Sequence, residues 1–380
     1  MERLVPDVSG YDPALAGRMR ATVACTDADG IPKVEDAGTC RDHDGTRVQV
    51  MHNGLLVEEG GYYGAWMTEI IRALRGHHEP QEEVVFHRIL ERLAADGGSP
   101  AMIEFGSFWM YYGLWFCHAI PTGRAVGLEP DPAWIDVGRR NTALNGYEDR
   151  VRFVRGAMGA EPGEPLAFEA ESDGQVYDVP QHDLASLLAE TGLERADLVL
   201  VDVQGAETIL IERARGDFEA GRVRFLVVST HHHSISGDPL THQNALRNLL
   251  DAGAHVIAEH TVGESVSGDG LIAVSFDPRD KDFTVPVTHA RYRESLMGET
   301  EYDLAAALAA QAEAEEAGKA AIAHAERLDE EIHRLRAEVG RTAAERDRLE
   351  AELQAVFATK LWRWAKKPRE IYARLLGRAT

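Results

Sequence analysis

The sequence predicts an α/β fold: a mostly parallel seven-stranded sheet with an antiparallel C-terminal hairpin, followed by an α-helical coiled coil. Three observations predict it. From residue 101 onwards, short apolar runs alternate with amphipathic stretches, the pattern of strands joined by crossover helices. The last two strand-like runs, AHVIAEHTV and DGLIAVSF, are separated only by GESVSG, too short to cross over, so they must pair antiparallel. Beyond residue 303, apolar side chains recur alternately four and three residues apart with Glu and Arg between them.

Residues 1–64 mix Gly, Asp and Pro with short apolar pieces and yield only a strand at 48–51. A domain over 65–290 opens with two helices between about 65 and 95, on either side of Pro80, which should begin the second. Five parallel strands follow: AMIEFG (101–106), AVGLEP (125–130), VRFVRG (151–156), ADLVLVDV (196–203) and RFLVVST (224–230). DPAWIDVGRRNTALNG, HDLASLLAETG, GAETILIERA and THQNALRNLLDAG read as helices, with Asn145 expected as a left-handed cap of the first. Over 303–358 the seam runs Ala321, Ala325, Leu328, Ile332, Leu335, Val339, Thr342, Arg346, Leu349, Leu353 and Val356, which favours a homo-oligomer through a coiled coil over a lone surface helix. The stretch 359–380 is a basic amphipathic tail. KLWRWAKKPREIYARLLGR holds seven basic residues and one acid, and Pro368 should precede a short helix. Peripheral contact with the inner face of a membrane, docking to a protein and a solvated tail are the open readings.

At 380 residues, 44% hydrophobic and 27% charged, the chain is globular. Its 40 Lys and Arg against 63 Asp and Glu give −23, a charge that repels phosphate backbones, so no nucleic-acid partner is expected. Cys25, Cys40 and Cys117, an odd number without CxxC spacing, give no disulfide framework or zinc knuckle to read and fit a reducing cytoplasm best. No run approaches the roughly 18 apolar residues of a spanning helix, and the opening MERLVPDVSGYD lacks signal-peptide features; a cytoplasmic chain is expected.

The first strand ends in Glu104-Phe105-Gly106-Ser107 and the second in Glu129-Pro130. In doubly wound sheets ligands sit outside the carboxyl ends of the strands, and an acid ending strand two accepts hydrogen bonds from a ribose diol. Glu129 lies 23 residues after Gly106, the spacing of an adenosine cofactor. The loop SFWMYYG lacks the glycines a pyrophosphate needs, which disfavours a nicotinamide oxidoreductase and favours S-adenosylmethionine. Taken singly, Gly106 also reads as a turn residue and Glu129 as an acid at a helix N-terminus.

MIEFGSFWMYYGLWF, GLEPDPAWIDVGRRNTALNG, HDLASLL and DLVLVDVQGAETIL, in this order, resemble the FkbM-type methyltransferases, a class I S-adenosylmethionine-dependent family, over about residues 80–276. The resemblance implies a Rossmann-like class I methyltransferase fold. It places Glu104 and Gly106, with Phe105 and Ser107 between and after them, at the methionine moiety. Glu129, followed by Pro130, would bind the ribose. The turn Gly156-Ala157-Met158 would lie near adenine, and Asp202 would face the reaction centre. The sequence departs from the family pattern at Met110, where glycine is usual, and at Thr230-His231, where many members have an acid. Asp202 to Glu207 also reads as a capped turn.

After strand five comes His231-His232-His233. If extended geometry persists, His231 and His233 converge on one side, where either could accept the proton of an acceptor hydroxyl with Asp202 assisting. A divalent metal held by Asp202 and these histidines is the rival, though no metal ligand is predicted, and a polar loop capping the next helix is the bland reading. Tyr62, Tyr63, Trp66, Phe108, Trp109, Tyr111, Tyr112 and Trp115 are expected mostly in the core, the remainder stacking on an acceptor; His78 and Glu82 are candidates for the same opening. The function read from these features is O-methylation of a small-molecule or saccharide acceptor: a sugar, glycan or secondary metabolite. The alternative is a catalytically silent Rossmann-like module carried by its coiled coil to a membrane-associated assembly.

Overall fold

The computed structural model describes residues 4–290 and 300–375, without the side chains of 300–306. It divides into two compact units, Met1–Glu299 and Thr300–Thr380.

In the first unit, helix α1 (Pro13–Ala24) leads to a small antiparallel sheet of β1 (Cys40–His43), β2 (Thr46–Val50) and β3 (Leu56–Glu58). The strand expected at 48–51 is β2; the rest of this segment carried no periodic signal. Helices α2 (Ala65–Ala73) and α3 (Pro80–Asp96) follow, and α3 begins at Pro80, where a missing N–H costs no hydrogen bond.

Then come β4 (Ala101–Phe105), α4 (Tyr111–Ala119), β5 (Arg124–Glu129), α5 (Pro132–Leu144), β6 (Val151–Arg155), β7 (Ala157–Met158), β8 (Pro165–Glu169) and β9 (Val176–His182). After these follow α6 (Leu184–Thr191), β10 (Ala196–Val201), α7 (Glu207–Arg213), α8 (Arg215–Glu219), β11 (Val223–Thr230), α9 (His233–Ser236), α10 (Thr241–Asp251), β12 (His255–His260) and β13 (Gly270–Ser275). The main sheet has the order β12-β13-β11-β10-β4-β5-β6. From β6 to β11 neighbours are parallel, and β13 runs antiparallel to both β11 and β12, as the short loop requires.

Both faces are covered, which is why the central strands are apolar throughout rather than alternating. Met102, Leu198, Leu200, Phe225 and Val227 point into the core under α3 and α4. Ile103, Phe105, Val199, Val201 and Leu226 point the other way, under α6, α7 and α10. Strand order reverses between β4 and β10, so their carboxyl ends diverge and leave a crevice there.

Two additions were silent in the sequence. Strands β7, β9 and β8 form a second small sheet between β6 and α6. The N-terminal sheet is tied to α5 by two asparagines. Asn145 accepts from the Leu56 N–H at 2.9 Å and donates to its carbonyl at 2.7 Å, and Asn141 accepts from the Glu58 N–H at 2.8 Å. Asn145 is therefore structural but not a left-handed cap: its backbone is right-handed and Gly146 takes the positive φ.

The second unit is α11 (Thr300–Ala358), α12 (Lys360–Trp364) and α13 (Lys366–Leu375). The break expected at Pro368 falls at Ala365 instead, because a proline in the first turn of α13 has no intrahelical donor to lose. Leu376 and Arg378 of the tail lie outside the described residues. Among the described residues no helix is long and apolar enough to cross a membrane.

Candidate active site

The crevice at the carboxyl ends of β4, β5 and β10 is a cavity of about 470 Å³. Its floor is set by Gly106. This residue sits at φ +77°, and a Cβ there would lie 1.8 Å from the Asp202 carbonyl oxygen, so only glycine lets β4 turn beside β10. The Asp202 N–H donates to the Phe105 carbonyl at 2.9 Å, and the Gly106 and Ser107 N–H groups converge on the Leu128 carbonyl.

Glu104, Gly106, Ser107, Glu129 and Pro130 line the cavity, as do Ala157, Met158 and Asp202. Phe105, by contrast, is fully buried in the core beneath α6, since alternation along β4 turns it away from the opening. Glu129 is fixed by N–H donors from Phe108 (2.9 Å) and Asp131 (3.0 Å). Burial raises its pKa to about 7 although both donors oppose the shift. Burial likewise raises Glu104 well above the usual carboxylate range, against the hydrogen bond it accepts from Gly113 N–H at 3.0 Å. Ser107 Oγ and Trp134 Nε1 are buried at the wall with no protein partner, two polar atoms free for a ligand.

Met110 does not obstruct this floor. Its backbone keeps a left-handed φ of 65°, and its side chain fills the space left by Gly113, Gly127 and Gly138. A Cβ on Gly113 or Gly127 would meet the Met110 thioether within 3 Å, so the glycines compensate for the bulk.

The histidines after β11 part company. His232 caps α9 through its side chain, which ends the extended geometry at Thr230 and leaves His233 exposed and away from the cavity. His231 is buried behind Asp202: Nδ1 lies 2.5 Å from Glu207 Oε1, and Nε2 lies 3.1 Å from Asp202 Oδ1 and 3.7 Å from Asp269 Oδ1. Burial opposes its charge, yet the contacts with Asp202 and Glu207 outweigh it and raise its pKa to about 11. Both ring nitrogens of such an imidazolium are donors, so His231 has no lone pair to act as a base. Asp202 does not cap α7; it is Glu207 that accepts from the Gly205 N–H at 3.0 Å. Among the described residues the group of potential donors close enough to share a metal ion is His52, His77 and Glu83, not Asp202 with the histidines.

The side of the cavity facing α3 was only partly foreseen. Tyr62 stacks on Trp109 with centroids 4.5 Å apart, Phe108 stacks on Trp134 at 4.1 Å, and Tyr63 and Tyr112 complete an aromatic wall. Tyr111 and Trp115 belong to the core, as expected of most of the rings. His78 lines the cavity, whereas Glu82 is turned to Ser229 Oγ at 2.6 Å. Between them lies Glu79, which the sequence reading missed. Its Oε2 is 3.3 Å from the Tyr112 hydroxyl, which donates to it, and 3.4 Å from His78 Nε2. The other ring nitrogen of His78 is 2.6 Å from Glu83, a carboxylate wholly buried between His77 and His78. Burial, only partly offset by His78, raises the Glu79 pKa to about 7. Leu166 and Phe168 of β8 close the cavity from the side; a five-residue strand that is mostly exposed left no signal to find them by.

Residues 106–256 match the family model described as Methyltransferase FkbM domain. The chain carries an FkbM methyltransferase domain. A curated relative, the release factor glutamine methyltransferase of Chlorobaculum tepidum, is 27% identical over 135 residues, 34% of this chain and 46% of that protein. The chain thus spans about half the length of the curated relative it matches. Among solved structures, precorrin-6y C5,15-methyltransferase from Geobacter metallireducens GS-15 aligns at TM-score 0.33 and 16% identity, covering 51% of this chain and 86% of that one. M. capricolum TrmK in complex with S-adenosyl-homocysteine aligns at TM-score 0.34 and 11% identity, covering 53% and 74%.

The FkbM domain has the Rossmann-like class I methyltransferase fold, and its cofactor is S-adenosylmethionine. The cavity suits it. Glu129 retains lone pairs for a ribose diol, the carboxyl oxygens of Glu104 and Asp202 offer acceptors to the ammonium group, and the Ser107 and Trp134 polar atoms lack partners of their own.

Proposed function

We propose that the FkbM domain is an O-methyltransferase that methylates a hydroxyl of a sugar, glycan or secondary metabolite. The observation that carries this reading is the pairing, in one cavity, of the Glu129 floor with an aromatic wall that carries a carboxylate, Glu79, between His78 and Tyr112, its pKa raised to about 7 by burial. Stacked Tyr62 and Trp109 offer a flat apolar face to an acceptor ring, and Glu79 offers it a hydrogen-bond acceptor.

S-adenosylmethionine supplies an electrophilic methyl group. Glu79 takes up the proton that the acceptor hydroxyl loses as its oxygen bonds to that methyl; a base with pKa near the working pH is the most effective. His78 and Tyr112 hold Glu79 in place, and Glu83 holds His78. Asp202 faces the cavity, oriented by the positively charged His231 behind it. This assignment replaces His231 and His233 as bases with a carboxylate.

Outside the domain, Lys360, Arg363, Lys366, Lys367, Arg369 and Arg374 share α12 and α13 with exposed Leu361, Trp364 and Leu375. Basic residues among exposed apolar ones support peripheral contact with an anionic membrane, and hence a membrane-linked saccharide as acceptor.

The test is transfer of labelled methyl from S-adenosylmethionine to a panel of glycosides, phenols and amines. Transfer to hydroxyls that Glu79→Gln slows without weakening cofactor binding is the expected result; transfer to amines alone would overturn the reading.

A further inference from the structure

Helix α11 carries its apolar seam in the open: Leu328, Ile332, Leu335, Val339, Leu349 and Leu353 are each 45–69% exposed. Written as heptads, Ile332, Val339, Arg346 and Leu353 occupy position a, and Leu328, Leu335, Thr342 and Leu349 occupy position d. We infer that this seam is covered by α11 of a second copy of the chain, running parallel and in register.

Two independent features fix the arrangement. The first is side-chain shape. β-Branched Ile332 and Val339 at a, with Leu328 and Leu335 at d, are the combination that packs as two parallel strands, whereas Leu at a with Ile at d leads to higher orders. The second is charge. The g positions are Glu331, Glu338, Glu345 and Glu352. An antiparallel pair sets g against g and would line one flank with facing carboxylates. A parallel pair sets each g against the e position of the following heptad, which places Glu331 opposite Arg336 of the second copy.

The parallel arrangement also accounts for Arg346, the residue that breaks the seam. In a parallel, in-register pair a packs against a, so Arg346 stands beside Arg346 of the second copy, and the preceding g of each strand, Glu345, flanks the other's guanidinium and offsets that like charge. Glu345 opposite Glu350 is one like-charged pair set against it. A buried polar a position trades stability for a single register, and here it also disfavours slipped pairings that would set Arg346 against Val339 or Leu353.

The experiment uses the full chain. Sedimentation equilibrium at micromolar concentration should give twice the 41.8 kDa of one chain; a monomer or a trimer would overturn the inference. For direction, Leu328→Cys and Leu349→Cys are made separately in a Cys40→Ser background, Cys25 and Cys117 being buried. The two sites lie about 31 Å apart along the helix at 1.5 Å per residue. If the strands are parallel and in register, both variants form disulfide-linked dimers on mild oxidation. An antiparallel pair can bring at most one of these positions against itself, so cross-linking of one alone, or of neither, would contradict the proposed geometry. Leu335→Asp should yield monomer with cofactor affinity unchanged.

Discussion

The two sides of the cavity are built differently. The side at the carboxyl ends of β4, β5 and β10, assigned to the cofactor in the proposed function, carries Gly106, Glu129 and Asp202 at positions that backbone geometry dictates. The side facing α3 is assembled from separate segments: Tyr62 before α2, Glu79 at the start of α3, Trp109 beyond β4 and Phe168 on β8. The first side has no room for a side chain at Gly106, where neighbouring main chains are in contact; the second is held together by side-chain packing. On the proposed reading the cofactor meets strand-end backbone together with the Glu129 carboxylate, and the acceptor meets the side chains of the α3 face.

Breaking the first side should have the largest effect. Gly106→Ala must push its Cβ into the Asp202 carbonyl, and a loss of more than about 3 kcal/mol of stability with no measurable cofactor binding is expected from thermal unfolding and calorimetric titration. On the second side, Glu79→Gln should lower kcat at pH 7 by about 10²- to 10⁴-fold while the cofactor Kd stays unchanged. Wild-type kcat should rise with pH up to about 7 and level off above it, because Glu79 must be ionised to accept a proton. Loss of cofactor binding in this variant would move Glu79 to the other side of the comparison.

His231→Asn, at the boundary, breaks a buried ion pair and should cost about 3 kcal/mol near neutral pH. Its folded pKa, about 11, lies above the ordinary 6.5, so the stabilisation it gives is complete below pH 6.5 and is lost as pH rises towards 11. Denaturation of wild type and variant across that range should show the gap closing. Glu129→Ala removes an acceptor of ribose hydrogen bonds and should weaken cofactor binding about 10- to 100-fold, by the 1.5–3 kcal/mol typical of a charged hydrogen bond. The smallest effect belongs to Asn145→Ala, which unties β3 from α5: about 1–2 kcal/mol of stability by chemical denaturation, with cofactor affinity retained.

The same contrast explains what could be read from the sequence. The strands, the hairpin, Gly106 and Glu129 were legible because each follows from local pattern: apolar runs, a loop too short to cross, a glycine and an acid at strand ends; the order of strands in the sheet was not read, and Asp202 came only from the family resemblance. Glu79 was not legible, since its character comes from His78, Tyr112 and a burial that only the tertiary structure creates. The alternation argument failed at His233 because a side chain two residues after β11 had already capped a new helix. Phe105 failed for the opposite reason: it keeps strict alternation and so faces the core.

The division of the cavity is tested most directly by a crystal structure of the protein with S-adenosylhomocysteine. The ribose hydroxyls should lie within hydrogen-bonding distance of the Glu129 carboxylate, with the sulfur turned towards the wall that carries Glu79. A nucleoside stacked between Tyr62 and Tyr63 instead, with Glu129 untouched, would contradict it.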